Sequence, residues 1–105
     1  METTKTVLEI LHLASFSEHV NTKFRINGND STFVDLELIE AADEDSTPRQ
    51  ERFSLIFRGP LQPFLPQGTY RMEHDKMETL DLFLVPISKE EDGFRYQASF
   101  NRLLK

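Results

Sequence analysis

Residues 92–101 read Asp-Gly-Phe-Arg-Tyr-Gln-Ala-Ser-Phe-Asn. Phe94, Tyr96, Ala98 and Phe100 fall on one side of an extended chain, and Arg95, Gln97 and Ser99 on the other. A repeat of two is the signature of a pleated strand, because a helical stripe returns only about every 3.6 residues. Asp92-Gly93 accepts positive φ and so supplies a tight turn into that strand. The same alternation recurs upstream. Leu80, Leu82 and Leu84 alternate around Asp81, and Tyr70, Met72 and His74 around Arg71 and Glu73. Phe53, Leu55 and Phe57 alternate with Ser54, and Val34, Leu36 and Leu38 with Asp35 and Glu37. Six strands are predicted, at about 23–27, 32–41, 51–58, 68–74, 79–87 and 94–101.

The connections are short. Asn27-Gly28 suits a tight hairpin, and Pro66 opens a turn that Gly68 closes. Short links between successive strands make neighbours antiparallel, so the simplest order is a meander. A sheet with one apolar face must close or be covered. The expected fold is therefore mainly β: a six-stranded antiparallel meander forming a small barrel or sandwich. Its predicted core is Phe53, Leu55, Phe57, Tyr70, Leu82, Leu84, Tyr96 and Phe100.

The start of the chain has a different pattern. Val7, Ile10, Leu11 and Ala14 fit a helical stripe, and Ser15-Phe16-Ser17-Glu18 has the form of a capping box with Ser15 as N-cap. Asn21 is placed to end a one-turn helix in the left-handed conformation. The chain of 105 residues is one domain, with a helical segment at 1–22, the β domain at 23–101 and a tail at 102–105.

Composition excludes several function classes. There is no cysteine, hence no disulfide framework, thiol nucleophile or thiolate zinc site. Twelve Lys and Arg against 18 Asp and Glu give a net charge of -6, the wrong sign for a phosphate-backbone binder, so no nucleic-acid partner is expected. From Glu37 to Glu51 there are six acidic residues and only Arg49 in opposition, so most of the charge sits on one loop, which is expected to be mobile. No apolar run approaches the ~20 residues of a membrane span. Met1-Glu2-Thr3-Thr4 lacks the basic start of a signal peptide, which points to a cytoplasmic location.

Catalytic patterns are missing too. The sequence has no nucleophile elbow, no Gly-rich phosphate loop and no zinc-protease helix. Ser54 and His74 could approach across strands, yet no aspartate is placed to complete a triad. Glu73-His74-Asp75-Lys76-Met77-Glu78 mixes metal-ligand types, but Glu73 and His74 point to opposite faces and Lys76 repels a cation. Asp43, Glu44 and Asp45 lack the spacing of a calcium loop. Neither a metal nor another cofactor is expected, and His12 and His19 have no evident partners.

Apolar residues in unusual places are more informative. Pro60-Leu61-Gln62-Pro63-Phe64-Leu65-Pro66 is a connection that carries two leucines and a phenylalanine among three prolines. Stiff backbone presents such side chains at low entropic cost, so Leu61, Phe64 and Leu65 are candidate protein-contact residues; the competing reading is a lid over the barrel end. Leu82-Phe83-Leu84-Val85 is apolar on both faces, so Phe83 and Val85 must meet the N-terminal helix or another chain.

The strings FSLIFRGP (53–60), LPQGTYRMEH (65–74), LFLVP (82–86) and DGFRYQASFN (92–101) resemble a family of small bacterial domains of unknown function. FSEHVNTKFRI (16–26) is similar to that family's opening, where glycine is more usual than Asn21. The resemblance implies no catalytic residues. It implies occurrence beside phage-tail-collar-like proteins, hence an accessory or assembly role. The function expected from the sequence is a non-enzymatic β module acting through a protein partner or self-association, open to incorporation into a larger assembly. The alternative is a small-ligand-binding barrel or enzyme with an aromatic-lined pocket, using Tyr70, Arg71, His74 and Tyr96.

Overall fold

The computed structural model describes residues 12–27 and 33–103. After a short helix α1 (Leu13–Ser17) come six strands: β1 (Lys23–Asn27), β2 (Phe33–Asp43), β3 (Gln50–Gly59), β4 (Gly68–His74), β5 (Met77–Glu90) and β6 (Gly93–Leu103). All pairings are antiparallel and the sheet closes into a barrel in the order β1-β2-β3-β6-β5-β4. The period-two pattern sets which side chains go inside. Val34, Leu36 and Leu38 on β2, Leu80, Leu82 and Leu84 on β5, and Tyr96 and Ala98 on β6 are buried, while Asp35, Asp81, Phe83 and Ser99 face out.

The barrel is as expected, but the single meander is not. Two three-stranded meanders, β1-β2-β3 and β4-β5-β6, are set side by side so that β3 pairs with β6 and β4 with β1. β4 therefore lies across the ring from β3, and the connection 60–67 must span the barrel's upper mouth. Its apolar content is the reason. Leu65 is buried in that mouth, a better place for it than the tip of a hairpin.

Boundaries moved at the end of β6 and in the loop between β2 and β3. β6 continues into the presumed tail as far as Leu103, with Arg102 opposite Glu51 and Leu103 opposite Gln50. The loop between β2 and β3 is an ordered hairpin in which Glu44 N–H donates to the Arg52 carbonyl at 2.8 Å and Thr47 bridges Gln50. Ser46 N–H donates to the Asp43 carboxylate and the Ser54 hydroxyl of β3 to that of Glu44, giving the acidic run hydrogen-bond partners that the charge count alone hid. Of the predicted core, Tyr70 and Phe100 are only partly buried. Gly93, at φ 138, performs its expected turn, and a Cβ there would lie 2.0 Å from the Gly59 carbonyl oxygen.

Val7, Ile10, Leu11 and Gly28 lie outside the described residues. Helix α1 starts earlier than Ser15: His12 is the N-cap, and Ser15 accepts the His12 N–H at 3.3 Å from the third position. Asn21 does adopt the left-handed conformation, at φ 73, three residues past the helix C-cap Glu18.

Candidate functional site

Three places combine polar chemistry with apolar surface: the two mouths of the barrel and a gap in its wall.

At the upper mouth, the connection 60–67 is held by two phenols. Leu65 N–H donates to the buried Tyr96 hydroxyl at 3.0 Å, and the Tyr70 hydroxyl donates to the Pro66 carbonyl. Burial, then the neighbouring Tyr96, pushes the Tyr70 phenol up from its ordinary value, so it keeps its proton. Phe64 is 47% exposed and meets Phe94 edge-on at 4.9 Å. Leu65 thus follows the lid reading and is withdrawn from the contact residues, while Leu61 and half of the Phe64 ring remain outside.

The lower mouth is crossed by the chain from His12 to Thr22. Phe16 is fully buried there, 5.9 Å from Phe53 and 5.4 Å from Phe100, which stack on each other at 4.5 Å. One end of this segment meets Glu51, whose carboxylate accepts Leu13 N–H at 3.3 Å and Arg102 Nε at 3.2 Å, with His12 Nδ1 at 3.0 Å. Burial raises the Glu51 pKa, but the hydrogen bonds from His12 and Leu13 and the charges of His12 and Arg102 prevail and hold it below the ordinary value.

The other end meets His74. Its Nδ1 accepts Lys76 N–H at 3.0 Å and therefore carries no proton. Its Nε2 lies 2.8 Å from the Thr22 hydroxyl, which donates to the His19 carbonyl, so Nε2 is the donor to Thr22. The ring packs on Phe24 at 4.5 Å and on His19 at 4.6 Å. Burial, followed by the neighbouring His19, pulls the His74 pKa below 6.5.

The gap lies between β5 and β6. Their ladder runs from Glu90↔Gly93 to Val85↔Gln97 and stops there, although both strands continue. Asp81–Phe83 and Ala98–Arg102 instead line a groove of about 270 Å³. Phe83, 51% exposed, stands on its rim, and Val85 is half-buried at the last paired position. Helix α1 contacts β2, Phe53 and Phe100.

The four residues of the ligand reading do not converge. Tyr70 and Tyr96 hold the upper connection, Arg71 is exposed and bonded to Asp81 at 3.1 Å, and His74 belongs to the lower mouth. Ser54 is far from any role with His74: its hydroxyl donates to Glu44 at 2.8 Å, which explains its burial on an outward position. Both nitrogens of His74 are engaged, and among the described residues no three His, Asp or Glu side chains gather as metal ligands would.

Sequence reasoning missed Phe16, His19, Thr22, Glu51 and Arg102. Their contacts span up to 90 positions in the chain, and no local pattern announces them. No helix among the described residues is long and apolar enough to cross a membrane. No curated protein and no solved structure matches the chain. One family model does, over residues 11–100, nearly the whole described barrel, and the chain accordingly belongs to the family described as a domain of unknown function, DUF6916.

Proposed function

We propose that this domain is a non-enzymatic β module that works by contact with another protein chain, through the outer face of β5. The observation that carries the reading is the β5–β6 gap. Two strands run on after their ladder ends, and between them lies a groove with Leu82, Phe83, Ala98 and Phe100 in its lining. A large apolar side chain half exposed beside backbone that lacks a ladder partner is the combination that a partner chain covers. The barrel interior is filled by its own side chains, as is usual at this size, which disfavours an enclosed ligand.

An accessory role beside phage-tail-collar-like proteins is the form that the family resemblance gives to this reading. Leu61 and Phe64 at the upper mouth form a second, smaller apolar surface.

The test compares wild type with Phe83→Glu. Both are run in sedimentation and used as baits in cells of the native source. Association or captured proteins present with wild type and lost with Phe83→Glu, at unchanged melting temperature, support the reading. Identical sedimentation and identical captured sets overturn it.

A further inference from the structure

The segment over the lower mouth is tied at its two ends by different chemistry. We propose that it is an acid-released strap: protonation of His74 detaches its Glu18–Thr22 end while Glu51 keeps the His12–Leu13 end in place.

The argument starts from the proton inventory. His74 Nδ1 is an acceptor for Lys76 N–H, and Nε2–H is spent on Thr22. A second proton can go only to Nδ1, where it turns an acceptor into a donor facing an N–H. That bond is lost and a repulsion replaces it. The new cation would also lie against His19, at a ring separation of 4.6 Å, and near Lys76.

The surrounding charges are mixed. His19 comes from the strap, Lys76 and Asp75 from the β4–β5 turn, and Lys23, Arg25, Asp35 and Glu73 line the adjoining cavity from β1, β2 and β4. Asp75 favours the cation; burial, His19 and Lys76 oppose it and prevail. The native state therefore binds its proton at lower pH than the unfolded or detached state. With the strap detached, His74 gains its proton as pH falls below about 6.5, so the attachment is complete above that pH and weakens below it.

The other end responds differently. Glu51, held below the ordinary carboxylate range, stays ionised through this window, and its bonds to Arg102 and Leu13 N–H do not depend on an imidazole. Release is therefore one-ended. The first bonds to open are those beside Thr22, the residue that His74 holds: Asn21 N–H to the Leu38 carbonyl at 2.6 Å, and Leu38 N–H to the Thr22 carbonyl at 3.0 Å. The inference stands whether or not the β5–β6 groove takes a partner.

Those amides are the reporters. Hydrogen exchange resolved by NMR, corrected for intrinsic rates, is measured at pH 7.5 and 5.5 on wild type and His74→Gln. The expected result is that Asn21 and Leu38 lose protection in wild type, by up to about tenfold per pH unit. Leu13 and Leu65 should keep theirs, and His74→Gln should show no such pH dependence. Unchanged protection at Asn21 and Leu38 overturns the proposal, as does equal loss at Leu13 and Leu65, or a pH dependence that survives in His74→Gln. If that variant does not fold, the wild-type imidazole titration decides. Its midpoint must coincide with the change at Asn21, and a mismatch overturns the proposal.

Discussion

The two mouths of the barrel are closed by segments of similar length but unlike construction. The upper one is covered by 60–67, stiffened by proline and held through two tyrosine hydroxyls and one buried leucine. The lower one is covered by 12–22, which inserts a fully buried phenylalanine and fixes both ends with ionisable groups. Closure by neutral hydrogen bonds and proline is indifferent to pH and salt. Closure by a carboxylate and an imidazole depends on both. The difference teaches that one small barrel can carry a permanent lid and a conditional one.

The largest expected effect tests whether the lower mouth holds more of the core than the upper. Phe16→Ala removes a ring with 0% exposure that packs against the stacked pair Phe53 and Phe100, and should cost about 3–5 kcal/mol in denaturant melts. Leu65, 8% exposed at the rim of the other mouth, should cost about 2 kcal/mol when cut to alanine. A Leu65→Ala loss exceeding that of Phe16→Ala would reverse the comparison.

Next come the polar ties. Glu51→Gln leaves Arg102 and His12 without their carboxylate in a site where the Glu51 side chain is only 15% exposed. The loss should be about 1.5–3 kcal/mol, since these hydrogen bonds involve charged groups. Tyr96→Phe leaves Leu65 N–H unpaired at the opposite mouth and should cost about 1–2 kcal/mol, by the same amount at pH 5.5 and 7.5. Thermal melts at both pH values compare the two variants. A pH-dependent Tyr96→Phe penalty would show that the upper lid is not the neutral device described.

The strands were legible because each needs only its own alternation: Phe94 to Phe100 announces a pleat without knowing its neighbour. The ring order was not, because the choice between pairing β3 with β4 or with β6 rests on where Leu65 is buried, and that depends on the whole mouth. The start of α1 was misplaced for a related reason. Ser15 has the local form of an N-cap, but the carboxylate that meets the first helical N–H belongs to Glu51, 38 positions away. Phe83 was legible as an apolar residue on an outward position, since alternation settles its face. The gap beside it was not, since a ladder's end is a property of two strands.

The smallest expected effect sharpens the division of labour at the upper mouth. Phe64 and Leu65 are neighbours on one stiff segment, yet one ring is 47% exposed and the other side chain is 8% exposed. Phe64 meets the aromatic ring of Phe94 at 4.9 Å, and an edge-on pair of this kind is worth about 0.5–1.5 kcal/mol. Phe64→Ala should therefore cost about 1 kcal/mol, half of the Leu65→Ala loss, because nearly half of its surface was never removed from water. If the outer face of β5 is the contact surface, the same variant should leave sedimentation unchanged while Phe83→Glu alters it. A Phe64→Ala variant that melts like wild type but loses association would move the contact surface from the barrel wall to its upper mouth, where proline holds Leu61 and Phe64 in place for a partner.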